Sequence, residues 1–289
     1  DFCLSRGLGD VYKRQLLNAA RVHDPRQQAA ELAAAMQDSK TTEASDPAFR
    51  PLAGATALVT GGAKRIGRAI AHRLAEAGAN VAITYRGSQQ EAEATVRALA
   101  EFDIDALAIR TDLDDPESIR ESVAAAVEEF GGLNILVNNA GVFESAPLEQ
   151  ITVAQWDQMF STNTRAPFLM AQAAYPHLRA ANGRILNIGS LGGTHPWATH
   201  GHYCTSKAAL HMLSQTMAKA WAPQISVNCV APGMIVQGEV GEAYVHFAER
   251  TPMRRNGTAE DVAEAVLFFV TGPHFVTGQL LTVDGGLGL

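Results

Sequence analysis

From Ala55 onward, short apolar runs alternate with segments in which apolar residues recur every three or four positions. The runs predict buried strands, and the second pattern, as at Ile66, Ile70 and Leu74, predicts amphipathic helices. Strands are predicted over 55–60, 81–85, 106–111, 133–138, 184–188, 225–230 and 280–283. Helices are predicted over 65–77, 88–102, 116–130, 156–178, around Tyr203 and over 259–269.

This alternation indicates a parallel sheet covered by helices on both faces. The predicted fold class is therefore α/β, with a single Rossmann-type, doubly wound domain and a seven-stranded parallel sheet. No internal repeat beyond the strand–helix alternation and no second domain is predicted.

The first 53 residues do not share the pattern. The stretch from Ser5 to Gln15 matches the translation of a transposase adapter used in shotgun DNA sequencing, so residues 1–15 are interpreted as an artefact; the alternative is a natural basic tail. Residues 16–53 are interpreted as a flexible lead-in, because 38–51 has few large apolar residues. Met36 is a candidate start of the native protein. The folded domain is expected at 54–289.

Composition narrows the functional classes. The net charge of −7 gives no support for a nucleic-acid or anionic-membrane partner, and no apolar run is long enough to span a bilayer. Cys3, Cys204 and Cys229 show neither metal-ligand spacing nor a disulfide framework. A cytoplasmic location is therefore expected.

Tyr203 and Lys207 are four residues apart in a predicted helix, which places both side chains on one face, one turn apart. An ammonium beside a phenol favours the phenolate, so Lys207 is expected to lower the pKa of Tyr203 toward neutrality. Tyr203 is thus a candidate general acid or base, and Ser190 lies thirteen positions earlier. Such a pair also occurs by chance in helices, so its meaning depends on the other motifs.

A glycine-containing turn, Thr60 to Gly67, joins the first predicted strand to the first helix. Glycines there allow a tight turn and close approach to a pyrophosphate, while the helix N-terminus supplies N–H donors. Arg65 stands where a glycine is expected and is interpreted as a cation beside the phosphates or the substrate. The alternative is an ordinary glycine-rich turn.

The end of the second strand carries Arg86 and Ser88 and has no acidic residue. An acid there would bind a ribose 2′-hydroxyl, whereas arginine accommodates a 2′-phosphate. NADP(H) is therefore predicted over NAD(H), with Lys64 as a further phosphate ligand. The alternative is a solvated surface arginine.

The motifs together resemble those of the short-chain dehydrogenase/reductase family across residues 54–289. Those that match in order and spacing are the glycine turn, Asn138 to Gly141, Asn163, Ser190, Tyr203 with Lys207, and Pro232 with Gly233. The resemblance implies a seven-stranded Rossmann sheet and a homodimer or homotetramer.

The resemblance also implies a role for each catalytic position. Tyr203 would exchange a proton with the substrate oxygen, and Lys207 would tune it and hold the nicotinamide ribose. Ser190 would polarise the substrate oxygen, and Asn163 would anchor a water that relays protons. Asp112 would meet the adenine. The implied cofactor-binding set is Gly61, Lys64, Arg65, Ile66, Gly67, Arg86, Ser88, Asp112, Leu113, Asn139, Ala140, Gly141, Tyr203, Lys207, Pro232 and Gly233.

The substrate remains open at this point. An arginine at position 65 and the Tyr85–Arg86 pair look like the pteridine reductase branch, but Ser190 is the general family residue where some pteridine reductases carry an aspartate. The prediction is an NADPH-dependent reductase of a carbonyl or a pterin-like C=N bond. Alternatives are a 3-oxoacyl-carrier-protein reductase, a sugar or alcohol dehydrogenase, and a catalytically silent dinucleotide-binding module.

Three histidines and two aromatic residues surround the Tyr203 motif in sequence. His195, His200 and His202 lack accompanying carboxylate or cysteine ligands, so no metal is expected and they are placed in the loop beside the site. Trp197 either stacks on an aromatic substrate or packs the loop, and Phe143 either covers the substrate or packs in the core.

Overall fold

The computed structural model describes residues 50–236 and 242–289. The predicted adapter artefact at 1–15 and most of the predicted lead-in therefore lie outside the described residues.

One seven-stranded sheet forms the centre of the described chain, in the order β3-β2-β1-β4-β5-β6-β7 with every neighbouring pair parallel. This confirms the predicted α/β, Rossmann-type fold. The strands are β1 Thr56–Val59, β2 Asn80–Tyr85, β3 Ala106–Arg110, β4 Ile135–Asn138, β5 Arg184–Ile188, β6 Ser226–Pro232 and β7 Leu280–Val283. The direction of winding reverses between β1 and β4, which opens a crevice at their carboxyl ends.

Helices cover both faces of the sheet. They are α1 Arg65–Glu76, α2 Gln89–Ala100, α3 Pro116–Phe130, α4 Val153–Phe160, α5 Ala166–Ala180, α6 Gly201–Trp221, α7 Glu242–Arg250 and α8 Ala259–Thr271. Adjacent residues of β1 enter opposite cores, because strand side chains alternate in direction. Val59 packs in the core that contains Ile70 of α1 and Val266 of α8, and Leu58 packs in the core that contains Met170 of α5.

Local capping explains why several helix starts were predictable. The Asp115 carboxylate accepts a 2.9 Å hydrogen bond from the Glu117 N–H, and Pro116 occupies the first turn of α3. Thr258 and Asp261 form a reciprocal capping box at the start of α8. These contacts satisfy N–H groups that have no partner within the helix.

Two parts of the described chain differ from the prediction. The helix expected over 156–178 is interrupted by a π-helical turn, Ser161–Arg165, between α4 and α5. The helix α7 was not predicted, because its apolar residues Tyr244 and Val245 are about half exposed and form no continuous buried stripe.

The folded domain also begins earlier than residue 54. Leu52 is 7% exposed and belongs to the core, and its N–H donates to the Ala77 carbonyl at 2.9 Å. Arg50 donates to the Phe102 carbonyl. Residues 50–53 are therefore part of the packed domain and not of a lead-in.

Candidate active site

At the crevice, the residues that follow β1 are hydrogen-bonded to those that follow β4 through the Thr60 hydroxyl and the Asn139 side-chain amide. The Thr60 Oγ1 accepts from the N–H groups of Asn139 at 2.9 Å and Ala140 at 3.0 Å. The Asn139 Nδ2 donates back to the carbonyls of Thr60 at 2.9 Å and Gly61 at 3.3 Å. Asn139 therefore fixes the glycine turn against the loop that follows β4.

The turn needs glycine at two positions. Gly61 has a φ of +64°, which favours a residue without a Cβ. A Cβ on Gly67 would lie 2.3 Å from the Gly61 carbonyl oxygen and 2.5 Å from the Asn139 Nδ2. The backbone of this turn and the N-terminus of α1 thus pack closely, an arrangement that fits a dinucleotide pyrophosphate.

A cleft of about 380 Å³ extends from this turn past the end of β2. It is lined by seven of the predicted cofactor residues: Gly61, Lys64, Arg86, Ser88, Leu113, Ala140 and Gly141. It is also lined by residues that were not predicted, among them Thr84, Thr111, Asp114, Val142 and Thr162. The cleft, the turn and the donor set together fit a phosphorylated dinucleotide.

Four other predicted cofactor residues, Asp112, Ile66, Pro232 and Gly233, are not part of the cleft lining. Asp112 is exposed, and its carboxylate accepts from the Asp114 N–H at 3.1 Å, which forms a local turn. Ile66 packs against the core, Pro232 ends β6, and the Gly233 N–H donates to the Val283 carbonyl at 3.0 Å. None of these four is among the residues that line the cleft, although Thr111 and Leu113, the chain neighbours of Asp112, are. Their assignment to the cofactor stays a prediction.

Arg65, predicted as a cation beside the phosphates or the substrate, is not among the residues that line the cleft. It lines a surface groove between α1 and α8 together with Arg68, His72 and Glu260, and it is exposed. Its φ of +53° lies in the left-handed region, where a side chain is unfavourable. The arginine therefore occupies a glycine-type backbone position.

Arg65→Gly is expected to raise the free energy of unfolding by about 0.5–1 kcal/mol. A side chain in the left-handed region costs about 1–2 kcal/mol, which glycine avoids. Part of this gain is lost because glycine makes the unfolded chain more flexible. Urea unfolding measures this. Arg65→Ala keeps a Cβ and serves as the control, with no gain expected. A tenfold loss of NADPH affinity in Arg65→Gly would instead place the guanidinium at the cofactor.

Arg86 does not stand alone at the cleft. Its Nη1 lies 3.8 Å from the Asp114 Oδ2, and its side chain is 70% exposed. Asp114 accepts from the Ser161 hydroxyl at 2.6 Å and from the Gln158 Nε2 at 3.1 Å. The Ser161 hydrogen bond is the main cause of the lowered pKa of Asp114, to which Gln158 and the Arg86 charge also contribute. The sequence analysis missed Asp114, because the only local feature that distinguishes it is its position two residues after Asp112.

Ser190, Tyr203 and Lys207 come together just after the end of β5, where Ile188 is the last strand residue. The Ser190 side chain, 4% exposed, accepts from the Gly192 N–H at 3.1 Å and faces the Tyr203 phenol. The Lys207 Nζ donates to the Ile188 carbonyl at 2.8 Å. Helix α6 carries both Tyr203 and Lys207, as the four-residue spacing predicts.

The expected lowering of the Tyr203 pKa is not what this geometry produces. Burial raises the pKa of the Tyr203 phenol, and the hydrogen bond with Ser190 opposes this only in part. Burial also lowers the pKa of Lys207 to about 8. The ammonium is directed to the Ile188 carbonyl, so the sequence-based prediction overstated its effect on the phenol.

Asn163 lies in the π-helical turn and is fully buried. Its Oδ1 accepts from the Val142 N–H at 2.9 Å, and its Nδ2 donates to the Val142 carbonyl and the Ser206 Oγ, both at 3.0 Å. A Cβ on Gly141 would lie 3.1 Å from the Asn163 Oδ1 and 3.5 Å from the Lys207 Nζ. The π turn therefore aims Asn163 at the space beside Lys207.

His211 is a buried neighbour of this cluster that was not predicted. Its Nε2 accepts from the Ser190 N–H at 3.4 Å. Burial, with the nearby Lys207 charge, lowers the pKa of His211 to about 4, so the ring is neutral at neutral pH. Its position one turn after Lys207 on the buried face of α6 is the signal that could have found it.

Within residues 50–236 and 242–289, no group of three or more His, Cys, Asp or Glu residues is arranged to hold a metal ion. His195 instead contacts the Gly288 carbonyl at 2.9 Å, and His202 is fully buried. No helix among the described residues is long and apolar enough to cross a membrane.

Known proteins match this fold and these motifs. A family model described as enoyl-(acyl carrier protein) reductase matches residues 61–288. The 3-oxoacyl-(acyl-carrier-protein) reductase FabG of Staphylococcus aureus, strain Mu50, is 35% identical over 239 residues, which are 80% of this chain and 97% of that protein.

Solved structures match as well. A dehydrogenase/reductase from Sinorhizobium meliloti 1021 is 42% identical with a TM-score of 0.79, over 82% of this chain and 96% of that one. A short-chain dehydrogenase from Burkholderia cenocepacia J2315, solved with NADP, is 41% identical with a TM-score of 0.78, over 83% of this chain and all of that one (100%). With the Rossmann sheet, the glycine turn and the Ser190, Tyr203 and Lys207 cluster already in place, the chain belongs to the short-chain dehydrogenase/reductase family and is an NAD(P)-dependent oxidoreductase.

Proposed function

We propose that the protein is an NADP(H)-dependent reductase that converts a ketone to a secondary alcohol. The observation that carries the proposal is the convergence of Ser190, Tyr203 and Lys207 beside a cleft that fits a dinucleotide. The carbonyl class is also supported by the S. aureus relative, whose name is that of a 3-oxoacyl-thioester reductase.

The proposed chemistry assigns one task to each side chain. The hydride for the carbonyl carbon would come from a reduced nicotinamide held in the cleft. Tyr203 donates its phenolic proton to the carbonyl oxygen, so that C=O becomes CH–OH. The Ser190 hydroxyl donates a hydrogen bond to the same oxygen while its own lone pair accepts from Gly192.

Lys207 and Asn163 serve the return of the proton. Lys207, with a pKa of about 8, can pass a proton toward the phenolate, and burial keeps bulk water away from it. Asn163 holds the Val142 backbone with both ends of its amide, which leaves the space beside Lys207 with a fixed shape. We propose that this space holds the relay water that the family resemblance implies.

NADPH oxidation measured with a panel of carbonyl compounds tests the proposal. The panel contains acetoacetyl thioesters, simple ketones, sugars and dihydropterins, so that it also tests the predicted pterin-like substrate. Reduction of a ketone supports the proposal, and reduction of dihydropterins alone would replace it. Absence of any turnover, with NADPH still bound, would favour the catalytically silent module.

Arg86→Ala is expected to weaken NADPH binding by at least about tenfold and to leave NADH binding nearly unchanged. A charge-assisted hydrogen bond to a 2′-phosphate is worth roughly 1.5–3 kcal/mol, and only NADPH has that group. Titration of each cofactor, followed by protein fluorescence, measures the two affinities.

The control for this experiment is Arg97→Ala, which removes the same charge from an exposed position on α2. It should not change the ratio of NADPH to NADH affinity. Equal binding of the two cofactors by the parent protein would contradict the assignment of Arg86 to the phosphate.

We also propose that the chain assembles as a homodimer or homotetramer. The outer faces of α4, α5 and α6 expose apolar side chains: Val153 at 77%, Trp156 at 37%, Phe168 at 40% and Met212 at 63%. Trp156, Phe160, Phe168 and Leu213 also line a shallow apolar cleft between these helices. A contiguous apolar surface of this kind supports association between copies of the chain.

A further inference from the structure

Two aromatic rings pack against that of Tyr203, and a third ring contacts both of them. The Phe143 ring lies edge-on to the Tyr203 ring with centroids 4.7 Å apart, and it stacks on His200 at 4.7 Å with an interplanar angle of 21°. The Trp197 ring is nearly parallel to Tyr203, at 14° and 6.1 Å, and lies edge-on to His200 at 5.7 Å. We call Phe143, Trp197 and His200 the aromatic collar.

The collar is not ordinary core packing. Phe143 is 62% exposed, so much of its ring stays open although it contacts His200 and Tyr203. Large apolar side chains of the two cores are almost completely buried by comparison. An exposed phenyl ring fixed against the reacting tyrosine is therefore available to a ligand.

Trp197 is fixed by the loop that carries Ser190. A Cβ on Gly192 would lie 3.0 Å from the Trp197 Cζ3, so the indole rests directly on the backbone whose N–H donates to Ser190. The position of this ring is thus tied to the hydroxyl that would hold the substrate oxygen. The Trp197 and Phe143 rings both pack against the Tyr203 ring, so a substrate bound at the Tyr203 phenol would lie close to both.

We propose that the aromatic collar selects ketones whose reacting carbonyl is attached to a flat aromatic ring. This proposal rests on the proposed carbonyl reduction and specifies its substrate class. Offset-stacked and edge-to-face contacts favour a planar π-system over a saturated ring of similar size, because the saturated ring is thicker and lacks the complementary quadrupole. The reaction remains a hydride transfer to the carbonyl carbon and a proton transfer from Tyr203 to its oxygen, which yields an aryl carbinol.

The test compares two substrates of nearly equal size, ethyl benzoylacetate and its cyclohexyl counterpart, ethyl 3-cyclohexyl-3-oxopropanoate. The measured quantity is the ratio of kcat/KM for the phenyl substrate to that for the cyclohexyl substrate. We expect this ratio to be higher for the parent protein than for either collar variant. Phe143→Leu and Trp197→Leu should each lower the ratio by about three- to tenfold. The intrinsic reactivity of the two ketones cancels in this comparison between proteins.

Two further variants separate stacking from a general loss of structure. Phe275→Leu removes an aromatic ring that is 99% exposed and outside the collar, and it should leave the ratio unchanged. Trp197→Phe keeps a flat ring and should retain most of the parent's ratio. If both collar variants keep the parent's ratio while still reducing ketones, the aryl proposal is overturned and the proposed function stands. If the parent reduces no ketone, the proposed function itself fails.

Discussion

Tyr203→Phe is expected to lower the kcat for ketone reduction by at least about 10²–10⁴-fold, the usual contribution of a general acid. The substitution removes the phenolic proton and keeps the ring that packs against Phe143 and Trp197. NADPH binding should therefore survive within a few-fold. Stopped-flow or steady-state measurement of NADPH oxidation gives kcat, and a fluorescence titration gives the NADPH affinity.

Tyr175→Phe is the matched control, because Tyr175 lies on α5 and its ring packs against Trp221, outside the Ser190, Tyr203 and Lys207 cluster. It should leave kcat unchanged. Near-normal turnover by Tyr203→Phe on a substrate that the parent reduces well would mean that the proton comes from another group. The mechanism proposed here would then be wrong even though the family assignment holds.

The predictable part of this fold is the part that depends on patterns close in sequence. All four residues of β1 are buried, and three of them, Ala57 to Val59, form an apolar run of the kind that signals a strand covered on both faces. Likewise the Asp115 and Thr258 caps mark helix starts within one residue of the prediction. Such signals are local, so they can be read from the sequence alone.

The interrupted helix shows where local patterns stop being sufficient. Residues 161–165 contain neither glycine nor proline, so no helix-breaking residue separates α4 from α5, and a single helix was the natural prediction. The π turn is accompanied by long-range contacts, from Asn163 to Val142 and Ser206 and from Thr164 to the Ser206 carbonyl at 3.0 Å. Contacts that join distant segments leave no mark in the local spacing.

The candidate site divides in the same way. Residues fixed by a motif, such as Gly61 and Lys207, lie where the pattern predicted. Asp114 and His211 were missed because they act through partners from other elements, Ser161 in one case and Ser190 in the other. The direction of the Tyr203 pKa was also missed, since desolvation depends on the whole fold and not on the four-residue spacing.

Lys207→Met is expected to abolish efficient reduction and yet to raise the free energy of unfolding at neutral pH by about 1–2 kcal/mol. The folded protein lowers the pKa of Lys207 from 10.5 to about 8, so keeping the ammonium buried costs roughly 3 kcal/mol at neutral pH. The loss of its hydrogen bond to the Ile188 carbonyl offsets about 1 kcal/mol of that gain. Urea unfolding of both proteins, together with NADPH oxidation, measures the two effects.

The pH dependence gives this prediction its sharpest form. Between pH 8 and 10.5 the unfolded chain keeps the Lys207 proton while the folded chain has lost it, so the stability of the parent rises with pH in this window. The stability advantage of Lys207→Met is therefore largest below about pH 8 and should disappear as pH approaches 10.5. Lys219→Met, a substitution in the last turn of the same helix at an exposed position, should show no such trend. A Lys207→Met protein that is less stable than the parent at neutral pH would show that the buried ammonium stabilises the fold, contrary to the desolvation argument.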